Sequence, residues 1–283
     1  MRRTLIILSL VASCSGGDPA TGADATSPAP VGGDECAAFA TAMCARVDAC
    51  APAWVRYGTG RERAFGSVAA CAKRFEQACE GWIAAPGSRL RLDDVKYCVT
   101  ELGQSSCCEA LAAYDSPAIL ECLDVPGKQE LNSACATWSQ CEGRRCDGAG
   151  TGCGKCGVNT TDTLADEGAT CGGTTACKYW FDCKTGKCTC SPRTDTCLPG
   201  AAGCAIVLAA KDQSCGTNNL QGPESYCQTG QDCVNKNDLG TGHCQDYAPD
   251  GGACSPYEGP PCLYPARCID QKCTPPGAGV CGG

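Results

Sequence analysis

Between residues 34 and 130 the apolar positions recur at helical intervals. Cys36, Met43, Cys44 and Val47 share one face of an alanine-rich stretch, Glu35 to Val47, that contains neither Gly nor Pro. That spacing predicts a helix. Arg61 to Glu80 repeats the pattern with Phe65, Val68, Cys71, Phe75 and Cys79. A third helix is expected to carry Val95, Cys98, Val99 and Leu102, with Asp93 as its cap. Ser106 followed by Glu109 has the form of a capping box, opening a fourth helix through Leu111 and Tyr114. Ser116-Pro117 pairs an N-cap residue with proline at the first helical position, so a last short turn is expected toward Cys122. With Trp54 and Trp82 these positions make a small apolar core, predicting a helical bundle stapled by disulfides.

The pattern changes after residue 130. Leu, Ile, Val and Phe number 17 in the 97 residues of 34–130 but 14 in the 153 residues of 131–283, where cysteine reaches 21. Such a segment cannot assemble an ordinary hydrophobic core, and cross-links must substitute. A period is visible in it. Asn-Ser-Ala-Cys135, Gly-Ala-Thr-Cys171, Asp-Gln-Ser-Cys215 and Gly-Gly-Ala-Cys254 open similar units, at intervals of 36, 44 and 39 residues. Unit one is read as Cys135, Cys141, Cys146 and Cys153, and unit two as Cys171, Cys177, Cys183 and Cys188. Unit three is Cys215, Cys227, Cys233 and Cys244, and unit four Cys254, Cys262, Cys268 and Cys273. Two bridges per unit and short hairpins are expected, with connectivity left open because spacing does not determine it. The expected fold class is therefore small and disulfide-rich. A disulfide-stapled α-helical bundle precedes loop-rich cysteine repeats with short β-hairpins, starting near residues 132, 168, 212 and 251.

The chain opens Met1-Arg2-Arg3, then runs apolar from Leu5 to Ala12. A positive start and a short apolar run read as an export signal, too short to cross about 30 Å of hydrocarbon. Val11-Ala12-Ser13-Cys14 closes the run and resembles the bacterial lipobox, in which the chain is cut before a cysteine that receives diacylglycerol. The resemblance implies cleavage after residues 1–13, lipidation at Cys14, and a membrane anchor. Ser15, rather than Asp, follows Cys14, which implies passage to the outer membrane or cell surface. The next 19 residues, 15–33, hold one large apolar residue, Val31. They read as a flexible tether that spans at most about 60 Å and about 25 Å as a coil.

Composition and charge narrow the classes. Thirty-one cysteines in 283 residues point to an oxidising compartment. A net charge of −8 and a pI near 4.8 argue against nucleic acid as a partner. The order of lipobox, cysteine-studded helical segment and Gly-x-x-Cys repeats resembles cysteine-rich lipoproteins of myxobacteria and related predatory bacteria. That resemblance covers most of the chain and implies location and architecture, but no reaction. The repeats also resemble the disulfide knots of EGF-like and Dickkopf-like extracellular modules.

Few residues suggest chemistry. The one histidine, His243, would have to serve any Ser–His or Cys–His pair, and no Gly-x-Ser-x-Gly elbow accompanies it. Cys153-Gly-Lys-Cys156 has redox-motif spacing, but glycine-rich flanks replace the strand and helix such motifs require, so a structural cysteine pair is expected. Zinc on Cys153, Cys156, Cys188 and Cys190 would compete with oxidation, and calcium on Asp232, Asn235, Asn237 and Asp238 lacks the EF-hand order. No cofactor is expected. Asn159-Thr160-Thr161 is a formal glycosylation sequon, and Tyr179-Trp180-Phe181 is the densest aromatic cluster of the repeats. The expected function is non-catalytic: a surface-anchored lipoprotein for adhesion, envelope structure or binding of a protein partner. The alternatives are a protease-inhibitor or toxin-like factor displaying residues 216–226, and, further off, a thiol–disulfide oxidoreductase.

Cysteine parity adds one expectation. Residues 34–130 hold nine cysteines and residues 131–283 hold 21, so full intramolecular oxidation requires an odd number of bridges across the boundary. Cys107 or Cys108 is the expected helical-side partner. Neighbours on a helix point about 100° apart, so one enters the bundle and the other faces away. Such a bridge would set the bundle and the first repeats in a rod.

Overall fold

The computed structural model describes residues 33–50, 65–115, 117, 120–148, 153–158, 168–171, 181–190, 207–216, 225–234, 241–255 and 258–275. The chain is a small disulfide-rich protein of helices followed by short β-hairpins. Among the described residues the helices are α1 (Gly33–Cys50), α2 (Val68–Ala84), α3 (Leu92–Gln104) and α4 (Cys107–Asp115). None of them is long and apolar enough to cross a membrane.

Local sequence sets the helix starts. Ser67 caps α2, its Oγ accepting from the Ala70 N–H at 3.1 Å. At α4 the expected box forms: the Ser106 N–H donates to the Glu109 carboxylate at 2.7 Å, and the Glu109 N–H donates to Ser106 Oγ at 3.3 Å. At α3 the cap differs from expectation. Arg91 is the N-cap, and its N–H donates to the Asp94 carboxylate at 2.8 Å, while Asp93 lies inside the first turn. An acceptor three residues beyond the cap reaches back across the turn, and Asp93 is one residue short. The closing turn is a 3₁₀ turn at Glu121–Leu123.

Two rungs join α1 to α2, Cys36–Cys79 and Cys44–Cys71. The partners run in opposite order, Cys36 then Cys44 on α1 against Cys79 then Cys71 on α2, so the pair is antiparallel. Cys50–Cys107 ties α1 to α4, and Cys98–Cys122 ties α3 to the 3₁₀ turn. Around these bridges Phe39, Met43, Val47, Phe75, Val95, Leu102, Leu111 and Leu123 are buried. Phe75 stacks on Tyr114 with ring centroids 4.8 Å apart.

Of the two candidates for a link beyond the bundle, Cys107 is thus the one bound inside it. It sits at the first residue of α4, within reach of Cys50 at the end of α1. Cys108 is fully buried and also disulfide-bonded. The other eight cysteines of residues 34–130 pair with one another, so the partner of Cys108 lies outside that segment.

The repeat units share one backbone plan of short strands, among them β1 (Ala134–Cys135), β6 (Val207–Ala209), β7 (Ser214–Gly216) and β8 (Ser225–Cys227). Unit one pairs Cys135–Cys146 and Cys141–Cys156, unit three Cys215–Cys233 and Cys227–Cys244, and unit four Cys254–Cys268 and Cys262–Cys273. First bonds to third and second to fourth each time. The fourth cysteine of unit one is therefore Cys156, not Cys153. Hairpin register decides it: Cys146 on β2 (Arg144–Asp147) faces Cys156 on β3 (Gly154–Val158), and Cys153 precedes the strand. Equivalent partners are Cys233 and Cys244 on β9 (Gln231–Val234) and β10 (Thr241–Asp246), and Cys268 and Cys273 on β11 (Arg267–Ile269) and β12 (Lys272–Thr274). In unit two Cys183 faces Cys188 across β4 (Phe181–Lys184) and β5 (Lys187–Cys190), and Cys171 and Cys188 each take part in a disulfide. Cys177 lies outside the described residues.

Each lead clamps the hairpin in the same way. Three residues before the first cysteine, Asn132, Gly168, Asp212 and Gly251 donate their N–H groups to the carbonyls of Cys156, Cys188, Cys244 and Cys273, at 2.7–2.8 Å. One residue later, the carbonyls of Ser133, Ala169, Gln213 and Gly252 accept from the same four cysteines. The donor position has φ of 69°, 76°, 64° and 77° in turn. Left-handed backbone favours Gly, Asn and Asp, the residues found there. Six residues before the first cysteine, Gln129, Ala209 and Ala248 pair in parallel with the second cysteines, Cys141, Cys227 and Cys262.

Candidate functional site

Among the described residues, two of the repeat units pack directly on the helical bundle. Helix α2 receives unit one at its C-terminal end and unit four near its middle. The Trp138 ring meets Trp82 at 5.5 Å between centroids. Ser139 Oγ donates to the Trp82 carbonyl at 2.8 Å, and Gln140 Nε2 donates to the Pro86 carbonyl at 2.8 Å. Gln140 is fully buried, and its Oε1 also accepts from the Thr137 N–H at 3.0 Å. Gly127 crosses Gln140 so closely that a Cβ there would lie 2.1 Å from the Gln140 carbonyl carbon. Only glycine permits this approach.

Unit four docks through Arg74. Its guanidinium grips the Asp250 carboxylate at 2.9 and 3.1 Å and donates to the Leu263 and Tyr264 carbonyls, both at 2.6 Å. The Tyr264 ring packs on Phe75 at 5.5 Å. Leu263 and Tyr264 are thereby added to the bundle core. The last unit thus packs on the bundle as well as the first. The Arg74 side chain is 12% exposed, so its hydrogen bonds are partly sheltered from water.

The residues singled out from the sequence fall in several places. Val11, Ala12, Ser13 and Cys14 lie outside the described residues, as do Asn159, Tyr179, Trp180 and most of the loop 216–226. Asn235, Asn237 and Asp238 lie outside them too. Asp232 is described, and its carboxylate accepts from the Cys233 N–H at 2.7 Å. His243 sits on β10 with its Nε2 2.8 Å from Gln245 Nε2, so its near neighbour is an amide, not a carboxylate or a thiol. Cys153 and Cys156 do not form the pair expected of them. Cys156 bonds to Cys141, and Cys153 is bonded separately. The zinc set that includes them therefore loses Cys156 to a bridge. All 24 cysteines whose side chains are described are disulfide-bonded.

Two features escaped the sequence reading. Arg74 and Tyr264 are 190 residues apart, and no periodic pattern links them. The other emerges once Cys156 replaces Cys153 in the alignment. The residue before the fourth cysteine is then Lys155, Lys187, His243 or Lys272, a basic side chain on the last hairpin strand of each unit. No protein-family model, curated protein or solved structure matches the chain.

Proposed function

We propose that this chain is an exported, lipid-anchored, non-catalytic envelope protein that presents disulfide-cored units on a helical platform to a protein or envelope partner. The observation that carries the reading is the oxidation state of the 24 cysteines whose side chains are described, all of which are bonded. So complete a set of bridges persists in an oxidising compartment, which favours export. The Val11-Ala12-Ser13-Cys14 lipobox supports an anchor at Cys14, and the likeness to myxobacterial cysteine-rich lipoproteins supports the same location. Docked units with covalent cores suit a rigid binding surface, because little conformational entropy remains to be lost on association.

The test is metabolic labelling with a fatty-acid analogue, followed by membrane fractionation and cross-linking in intact envelopes. Wild-type chain is expected to carry label at Cys14, to partition with membrane and to cross-link to a defined partner. Cys14→Ala should lose label and membrane association together. Unlabelled, soluble wild-type protein with a mature terminus beyond residue 14 would overturn the reading.

A further inference from the structure

One position recurs in the leads of units one, three and four and changes its chemistry from unit to unit. A β-turn closes each lead, with Ser133, Gln213 and Gly252 donating N–H groups to the carbonyls of Glu130, Ala210 and Pro249. The second residue of that turn is Leu131, Lys211 or Asp250. In unit three Lys211 Nζ donates to Asp246, two residues past the fourth cysteine, at 2.7 Å. The two positions therefore share one corner of the unit. The same two hydrogen bonds join lead and fourth cysteine in unit one, so Leu131 and Val158 share the equivalent corner there. An ion pair in one unit is replaced by an apolar pair in another. In unit four the corner is already a docking point, because Asp250 is the carboxylate that Arg74 grips.

Leu131 and Val158 are 58% and 62% exposed. Among the described residues, Tyr97 on α3 is the one other large apolar side chain so exposed. Removing apolar surface from water is favourable roughly in proportion to its area, so the corner gains by being covered. The basic side chain across from Val158 is Arg144, which is paired with Asp124. The corner thus offers apolar contact rather than an unpaired cation. Its place on the bundle says what covers it. Helix α1 begins at Gly33, Cys36 is bridged to Cys79, and Phe39 meets Trp82 edge-on with centroids 6.1 Å apart. Trp82 in turn contacts Trp138 of unit one. Unit one is therefore held at the end of the bundle where α1 starts, the end that residues 15–33 join to Cys14. Unit three touches the opposite end: a Cβ on Gly66, just before α2, would lie 2.6 Å from Thr229 Cγ2.

We propose, on the reading that Cys14 is lipidated, that the Leu131–Val158 corner rests on the same lipid surface and orients the bundle with unit three away from it. Two aliphatic side chains bind lipid weakly on their own. A short flexible tether holds the corner at an effective concentration of about a millimolar, so a contact with a dissociation constant of that order forms about half the time. Neutral headgroups suffice, because the contact is apolar. The anchor then supplies attachment and the corner supplies direction.

The experiment uses the full lipidated chain in phosphatidylcholine vesicles whose acyl chains carry bromine, a quencher of tryptophan. Flotation first shows whether the chain is anchored. Fluorescence is then read as the difference from the parent chain, which has four tryptophans. Leu131→Trp should lose about half of its added emission, following the occupancy of the contact. Lys211→Trp, at the equivalent corner of the far unit, should lose none. Val158→Trp should be quenched like Leu131→Trp, and should escape quenching when Leu131→Asp is added. A floating chain in which neither Leu131→Trp nor Val158→Trp is quenched would overturn the proposal and leave the corner to a protein partner. Equal quenching of Lys211→Trp would defeat it as well, since neither end of the molecule would then be preferred. Quenching of Val158→Trp that survives Leu131→Asp would defeat it too, because the added ring alone would be seeking the lipid. A chain that does not float would instead overturn the anchoring on which the proposal rests.

Discussion

Residues 34–130 bury Phe39, Met43, Phe75, Trp82, Leu102 and Leu111 around their bridges, whereas among the described residues the buried clusters of units three and four are cysteine and alanine. In unit one the cluster is cysteine alone. A buried Leu, Phe or Met is worth about 1.5–3 kcal/mol each, so the bundle owns stabilising terms that survive reduction. The units do not. Their bridges close 11 to 18 residues, and a loop of about 15 contributes about 3 kcal/mol by restricting the unfolded chain. Disulfides are accessories in one region and the core itself in the other.

The largest effect should come from removing one bridge in each region. Cys227→Ser with Cys244→Ser deletes half the covalent core of unit three, at a cost of about 2–5 kcal/mol. Limited proteolysis should then cut that unit while the bundle survives. Cys98→Ser with Cys122→Ser removes the same chemistry from the bundle, where Val95, Leu102 and Leu123 remain packed. That variant should keep its protease-resistant helices. Graded reductant should likewise open the units first. Equal loss of protection in the two double variants would erase the distinction.

A smaller effect tests where the regions meet. Arg74→Ala leaves the Leu263 and Tyr264 carbonyls and the Asp250 carboxylate without their shared donor, costing about 1–3 kcal/mol. Hydrogen exchange should rise around Leu263 and Tyr264 while both bridges of unit four persist. If exchange rises equally in unit one, docking of the two units is coupled through α2.

The bundle was largely legible, because Cys36, Met43, Cys44, Val47, Phe75, Cys98 and Leu102 follow the helical period and all are buried. The repeat leads were legible for a different reason. Left-handed backbone at Asn132, Gly168, Asp212 and Gly251 restricts residue choice, and that restriction prints itself on the sequence. Connectivity was not legible, nor was the choice of Cys156 over Cys153, because both depend on strand register. A two-residue turn with positive φ at Asp270 and Gln271 sets that register in unit four, while unit one crosses ten positions from Cys146 to Cys156. Contacts such as Arg74 with Tyr264 join segments far apart in sequence and leave no periodic trace.

The lead position offers a test at about 1–2 kcal/mol, the cost of left-handed backbone for an ordinary residue. Asp212→Val should destabilise unit three by that amount, and Asp212→Gly should be close to neutral. The readout is reductant-dependent protease cleavage of the unit. A valine variant as resistant as wild type would mean that the bridges alone hold the lead in place.

The smallest effect belongs to an ion pair with shifted titration, the one such pair among the described residues. Lys211 Nζ donates to the Asp246 carboxylate at 2.7 Å, raising the lysine from its ordinary 10.5 and lowering the carboxyl from its ordinary 3.8. Gln231 also donates to Asp246, at 2.9 Å, and helps lower it. The lowered carboxyl stabilises above its ordinary value, and that contribution fades as pH falls through the lower native value. The raised ammonium stabilises below its ordinary value, and that contribution fades as pH rises through the higher native value. Both partners are exposed to solvent, which screens the pair. Unit three should therefore keep constant stability through the neutral range, with slight weakening only at the acidic and alkaline extremes. Asp246→Asn should move the lysine titration, followed by NMR, back toward its ordinary position while leaving protease resistance at neutral pH unchanged. A neutral-pH loss comparable to removing a bridge would show that polar contacts on β10, rather than the sulfur core, hold the unit together.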